Sequence, residues 1–413
     1  MVAKEGEAVF GARIVGIGVA IPGTNIPGRI VTNDMIAEEL LTRRERLVNE
    51  GKILTPAKWE VLPLDIQKLH RSRWGQFESD SAWIVSHTGI HTRRFLDPEF
   101  ATSDLAATAG QMALRMAGWE PKDVQFVIVA TVTPDFPTTP PTAAIVQEKL
   151  GIPANDDEGA LEIDGFDLTC ACSSWGKALM MGYALIRSGM AERILVIGAD
   201  VMSRTSTKTH SLYPILADGG GAVALARLDS GDDFFGRRGF RGGLDGSLAD
   251  LIVTEYGGSR HPIEDARIFD DPVAFLHLMR MAGPYVKKNA VRLLTGFGSR
   301  IGIIEQAVRK AGLDFSDLDA LFVHQANSEI TGPVVEKVAD KGFLGIAPKN
   351  IERVGNTTSA SVPTLLFEAW RDGKLKDHPL VMTVVFGGGF SWATALFWWT
   401  LPAPTNPSDV VQF

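Results

Sequence analysis

The chain has 413 residues, of which 45% are hydrophobic and 22% charged, and its formal net charge is −8. That length and apolar content support a core larger than one average domain needs and exclude a predominantly disordered chain. The acidic balance argues against a nucleic-acid partner, which selects a basic surface.

The two cysteines, Cys170 and Cys172, are separated by a single residue. They make no disulfide framework and point to a reducing, cytoplasmic setting, and a lone C-x-C without His or Cys nearby offers no metal site. The apolar run near the N-terminus is too short to span a bilayer, so a first strand is expected over 12–20 rather than a signal peptide or a membrane span. Residues 33–72 read as largely helical with a proline interruption. A helix is expected over 102–118, a continuous apolar strand over 125–133, and a helix over 140–151 that opens on prolines and closes on Gly151.

A strand over 161–168 then runs toward Cys172, with Cys170 inside it, and a helix over 173–189 follows. Strands over 193–200 and 220–228 come next. The second half repeats this grammar: helices over about 272–294 and 299–312, a strand over 318–326, helices over 328–341 and 361–372, and strands over 380–389 and 390–399. Strands alternating with helices imply α/β layers around parallel-rich sheets. The segments 117–135 and 311–327 parallel one another, each a helix end, an acidic linker, an apolar strand and a polar turn. This suggests two related halves, 1–230 and 231–413.

The chemistry centres on DLTCACSSWG (167–176). A thiol between a strand and a long helix lies at a helix N-terminus, where unpaired N–H groups and the helix dipole favour a thiolate and lower its pKa. The bland reading is an inert buried cysteine; the small neighbours Ala171, Ser173 and Ser174, which let a substrate approach, weigh against it. His324 in FVHQAN ends a strand, and Asn356 in GNTTSAS follows a glycine. Alone, these read as a strand-end histidine and an ordinary turn asparagine. Together with Cys172 they suggest nucleophilic acyl chemistry. The glycines 387–389 are either a flexible turn or a place where backbone N–H groups meet a reacting carbonyl. The glycines of ADGGGA (217–222) read as packing between layers. No P-loop or dinucleotide fingerprint is present.

These segments, with RIVGIGVAIPG (13–23), WIVSHTGIHTRRF (83–95), ATVTPDFPTTPPTAA (130–144), GADVMSRT (198–205), HLMRMAGPYVKKNAV (277–291) and FGGGFSWATAL (386–396), resemble the β-ketoacyl-acyl-carrier-protein synthase III family of the thiolase superfamily over nearly the whole chain. The resemblance implies the five-layered α-β-α-β-α thiolase fold with two pseudo-duplicated halves, as a homodimer. It implies Cys172 as acyl acceptor, His324 and Asn356 as the pair promoting malonyl decarboxylation, and the N–H groups of Cys172 and Gly388 as the oxyanion hole. The reaction implied is a ping-pong decarboxylative Claisen condensation of acyl and malonyl thioesters. Coenzyme A or acyl carrier protein serves as thiol carrier, and there is no resident cofactor.

By the same resemblance Trp83, His87, His210, Asn327 and Phe136 contact substrate: Trp83 on the coenzyme A adenine, His87 and His210 where arginines usually face phosphates, Phe136 in the loop that reaches the partner's acyl pocket. Histidine holds phosphate less firmly than the fixed arginine fork. Glu329 stands at a usually basic carrier-docking position. Residues 39–80 form a longer, helical insertion, which covers the tunnel, extends the dimer surface, or decorates the exterior. Within the superfamily the competing reading is an acyltransferase that moves the cysteine-bound acyl group to oxygen or nitrogen without decarboxylation. A papain-like protease shares the Cys–His–Asn order, but here the cysteine comes mid-chain after several α/β units, secretory context is lacking, and the FGGGF strand pair would have no role in such a protease. A silent partner subunit would tend to lose the nucleophile.

Overall fold

The computed structural model describes residues 10–75, 77–154, 163–205, 212–229, 232–236, 239–262, 279–405 and 410–413. The first half begins with β1 (Gly11–Ala20), β2 (Gly28–Thr32), α1 (Asn33–Asn49), α2 (Pro56–Trp59), α3 (Leu64–Gly75), α4 (Ser81–Thr88) and β3 (Thr92–Leu96). It continues through α5 (Thr102–Ala117), β4 (Phe126–Ala130), α6 (Thr142–Leu150), β5 (Asp164–Leu168), α7 (Ser174–Arg187), β6 (Arg193–Val201), α8 (Met202–Thr205) and β7 (Asp218–Leu228). The second half has β8 (Phe240–Leu244), β9 (Ile252–Thr254), β10 (Met279–Met281), α9 (Gly283–Thr295), the short hairpin β11 (Gly296–Phe297) and β12 (Arg300–Ile301), and α10 (Ile303–Ala311). It closes with β13 (Ala320–Val323), α11 (Ser328–Ala339), α12 (Ile351–Val354), α13 (Ser361–Arg371), β14 (Leu380–Gly387) and β15 (Ser391–Trp398).

Among the described residues two mixed sheets dominate, ordered β1-β7-β6-β4-β5 and β13-β14-β15-β8. Helices α5 and α6 cover the outer face of the first sheet, α7 and α13 lie between the sheets, and α9, α10 and α11 pack outside the second. This is the five-layered α-β-α-β-α arrangement of the thiolase fold. Strands β4 and β14 are buried throughout, and β6 from Ile194 onward, because helices lie on both faces and leave no solvated side to alternate toward. Glycines let the layers close. A Cβ on Gly220 would lie 2.8 Å from the carbonyl oxygen of Leu105 in α5, and one on Gly221 2.8 Å from Pro363 in α13. Consecutive residues of one strand thus admit helices on opposite faces.

The two parallel segments fold alike. Helix α5 ends on left-handed Gly118 and α10 on left-handed Gly312. Each is followed by a 3₁₀ turn in which an aspartate returns to a backbone amide, Glu120 N donating to Asp123 Oδ2 and Asp314 N to Asp317 Oδ2. Each turn feeds the strand, β4 or β13, that leads to the site.

Several boundaries differ from expectation. Strand β5 stops at Leu168, so Cys170 lies in the turn rather than in the strand. The start expected for a helix at 272 falls largely outside the described residues, and 279–281 is strand β10; the helix begins at Gly283, where Pro284 fits the first turn. The next helix starts at Ile303, after the hairpin at 296–301. The region 33–72 breaks into α1, α2 and α3; α1 packs with α4 through Ile36, Leu40, Leu47 and Ile84, with Phe77 in the same cluster, and Trp59 of α2 meets Trp74 of α3 edge-on. Among the described residues no helix is long and apolar enough to cross a membrane.

Candidate active site

Cys172, His324, Asn356 and Gly388 line one cavity of about 920 Å³ between the two halves. Each arrives from a different element. Cys172 follows β5, one residue before Ser173, which occupies the N-terminal boundary position of α7 without a side-chain cap. The turn is tight: Ser173 N and Ser174 N donate to the carbonyls of Cys170 and Ala171, and Ala171 sits at φ 51. A non-glycine residue in the left-handed region carries strain, and here it immediately precedes the sulfur. Ser391 Oγ, from the second half, donates to Cys170 O at 2.8 Å and clamps the turn.

His324 directly follows β13, its amide donating to Val384 O at 2.8 Å. Its ring meets the ring of Phe386 edge-on at 5.3 Å, and neither ring nitrogen has a hydrogen-bond partner among the described residues. Asn356 is held by its backbone. Its amide donates to Ile215 O and its carbonyl accepts from Ala217 N. Its Oδ1 accepts from Thr358 N at 2.9 Å, which directs the NH2 end of the carboxamide away from that turn.

The 387–389 glycines pass directly beside the nucleophile. A Cβ on Gly387 would lie 2.5 Å from Cys172 N. Backbone cannot yield there without moving the cysteine. Gly387→Ala should therefore slow acylation of Cys172 by about 10²-fold, through displacement of the reacting atoms. The uptake of acyl mass with time checks this; a wild-type rate would mean the close approach is dispensable.

The electrostatics depart from the expectation of a lowered thiol pKa. Burial pushes the Cys172 thiol up to about 12, and the negative charge of Asp200 adds to the effect. The helix begins only at Ser174, and the half-buried Cys172 side chain faces a mostly apolar cavity, so desolvation outweighs the helix end. Burial also pushes His324 down to about 3, so its imidazole is neutral.

One wall of the cavity is a two-stranded ribbon. Met279 pairs with Thr254 and Met281 with Ile252, and all four side chains line the space. Met202, Leu212 and Leu216 also line it, in an apolar cluster with Met279 and Met281 at its edge. Trp83, His87, Lys287, Asn327 and Glu329 also line the cavity.

Trp83 stacks on the His87 ring, centroids 4.4 Å apart. Asn327 caps α11: its Oδ1 accepts from Glu329 N, and its Nδ2 donates to the His87 carbonyl at 3.0 Å, joining α11 to α4. Glu329 pairs with Lys287 at 2.8 Å. Phe136 is 50% exposed and is not among the residues lining this chain's cavity. His210 lies outside the described residues. Among the described residues no cluster of three His, Cys, Asp or Glu side chains could hold a metal.

Sequence reasoning missed Asp200 and the left-handed backbone of Ala171 and Thr358. The signal for Asp200 was an acidic residue closing the apolar run RILVIGAD, where a buried charge demands partners.

The pattern described as 3-oxoacyl-[acyl-carrier-protein (ACP)] synthase III matches residues 166–237, and that of its C-terminal part matches 308–399. The chain is similar to the β-ketoacyl-[acyl-carrier-protein] synthase III of Caldanaerobacter subterraneus subsp. tengcongensis, with 35% identity over 78% of this chain and 91% of the relative. It is similar to the enzyme of that name from Symbiobacterium thermophilum, with 36% identity over 78% and 91%. The solved 3-oxoacyl-(acyl carrier protein) synthase III of Pseudomonas aeruginosa PAO1 superposes with a TM-score of 0.71 at 27% identity, covering 95% of this chain and 100% of that one.

Proposed function

The chain belongs to the β-ketoacyl-acyl-carrier-protein synthase III family, and from that membership we propose how its own residues divide the family's decarboxylative Claisen condensation. The observation that carries the assignment is the meeting of Cys172, His324 and Asn356 on one apolar cavity.

In the first half-reaction the Cys172 sulfur attacks an acyl thioester. The sulfur–carbon bond to the enzyme forms, the bond to the carrier sulfur breaks, and the cysteine proton ends on the released thiol. The N–H groups of Cys172 and Gly388 receive the developing oxyanion. In the second, a malonyl thioester loses carbon dioxide, and its enolate oxygen is met by a neutral His324 N–H and the Asn356 NH2. The enolate carbon then attacks the acyl-enzyme to give a β-ketoacyl thioester, and a proton from water restores the thiol. Two fixed, buried neutral donors suit this step, because they are aimed at charge that exists only as the carboxylate leaves.

The acyl chain lies along the Met202, Leu216, Met279 and Met281 wall, where unbranched thioethers adapt to chains of different shape. The carrier arm leaves past Trp83 and His87, on either coenzyme A or acyl carrier protein. We further propose a cytoplasmic homodimer with no resident cofactor. The edge strand β5, partly exposed in a sheet whose other strands are largely buried, supports pairing with a second copy. In such a dimer Phe136 would enter the partner's chamber.

The direct test incubates the protein with a panel of acyl-coenzyme A and acyl-carrier thioesters, then with malonyl thioesters. Acyl mass on the Cys172 peptide, followed by carbon dioxide release and a β-ketoacyl product, is expected. Acyl transfer to an alcohol or amine with no use of malonyl thioester would make the protein an acyltransferase instead. Asn356→Ala should lower decarboxylation by about 10²-fold, the cost of one oxyanion-type donor, while acylation proceeds. Carbon dioxide release at wild-type rate would remove Asn356 from the reaction.

A further inference from the structure

Asp200 is the penultimate residue of β6 and has 0% exposure. Its Oδ1 accepts from Thr131 Oγ1 at 3.0 Å, Val132 N at 2.7 Å and Thr133 Oγ1 at 3.0 Å. Its Oδ2 accepts from Thr358 Oγ1 at 2.6 Å and Ser359 N at 2.9 Å. Both oxygens are filled by donors, two of them amides that can only donate, which is the pattern of a carboxylate. None of these donors is cationic. A charge buried this deeply and compensated only by neutral groups is costly to keep.

The bonds join parts of the chain that carry the chemistry. Residues 131–133 follow β4, and Val132 lines the cavity. Thr358 and Ser359 belong to the other half, and Thr358 is held at φ 48. A threonine keeps that conformation only where its surroundings over-determine it. The Thr358 amide is the group that donates to Asn356 Oδ1. With that oxygen taken, the carboxamide presents its NH2 to the cavity; its contact with Ala326 O, at 3.5 Å, is long.

We propose that Asp200 is a positioning residue for decarboxylation, bolting the two halves together behind the cavity and fixing Thr358 so that its N–H aims the Asn356 carboxamide at the enolate oxygen. This rests on Asn356 being an enolate donor. Asp200 has a second, opposite effect on the same cavity. Its charge disfavours the Cys172 thiolate, so it aids the second half-reaction at some cost to the first. The titratable groups lining the cavity beside Cys172 are His324 from β13, His87 from α4, Lys287 from α9 and Glu329 from α11. Asp200, from β6, is not among the lining residues.

The experiment measures both half-reactions in Asp200→Asn, Asn356→Ala and the double variant. Asp200→Asn keeps the shape but turns an NH2 group toward donors. Decarboxylation should fall by about 10²-fold, as for a displaced reacting group. Acylation should not fall, and the pH midpoint of thiol alkylation should move down. A merely structural role would lower both half-reactions together and leave that midpoint in place. In the Asn356→Ala background Asp200→Asn should lower decarboxylation no further, since one group acts through the other.

An equal drop in both backgrounds overturns the proposal. Should Asn356→Ala alone decarboxylate at wild-type rate, the fault lies with the role given to Asn356, and the inference about Asp200 falls with it. Should Asp200→Asn not fold, Thr358→Val replaces it. That variant loses one donor to Asp200 and should show the same drop, confined to the protein that retains Asn356; a drop of equal size without Asn356 overturns the proposal.

Discussion

Cys172→Ala is expected to abolish acyl transfer, lowering condensation by at least about 10⁴-fold, the scale of losing a covalent nucleophile. Mass spectrometry should find no acyl adduct on the peptide that holds residue 172, with any thioester donor. The cavity supplies no replacement of equal reach. Cys170, the other thiol, lies in the turn before the strained Ala171 and does not line the cavity. The loss should be confined to the first half-reaction, because His324 and Asn356, not the sulfur, are assigned to decarboxylation. Carbon dioxide release from malonyl thioester, uncoupled from condensation, should therefore continue in this variant. An acyl adduct that persists without the Cys172 sulfur would end the assignment.

His324→Ala should have the complementary effect. Decarboxylation should fall by about 10²- to 10³-fold, the cost of removing one preorganised donor at a developing oxyanion. Acylation of Cys172 should remain. The pH dependence separates the neutral donor from a charged one. With its pKa pushed down to about 3, His324 carries no charge across the neutral range. The decarboxylation rate should then show no titration from this group between about pH 5 and 8, although an ordinary histidine would titrate near 6.5.

The sign for stability follows from the same burial. Below about pH 6.5 the unfolded chain binds a proton that the folded His324 refuses. The stability that the neutral ring contributes is therefore present above pH 6.5 and lost as pH falls toward 3. His324→Ala should flatten that part of the unfolding-temperature profile. An unchanged profile, together with a rate that titrates near 6.5, would show that the ring protonates freely.

Much of the site was legible in residue order. The thiol between an apolar strand and a helix, the histidine at the end of LFVHQ and the glycines after VVFG are local patterns, and each landed on the cavity. Other details were not local. Met279 and Met281 read as the inside of a helix, because short apolar runs do not distinguish helix from ribbon; pairing with Thr254 and Ile252 decides it. Asn327 lines the cavity, but the bridge its amide makes from α11 to α4 was not legible, because that contact forms only when those helices meet.

Amino-acid order by itself determined the layered α/β plan, the paired halves and which side chains carry reactive groups, since hydrophobic period and capping act over a few neighbouring residues. Tertiary structure alone decided the state of those groups. Whether Cys172 keeps its proton, whether His324 stays neutral and which end of Asn356 faces the cavity depend on dehydration and on Asp200 and Thr358, groups brought alongside only by the packing of the two sheets. Desolvation and Coulomb interactions act through space, and distance along the chain does not encode them.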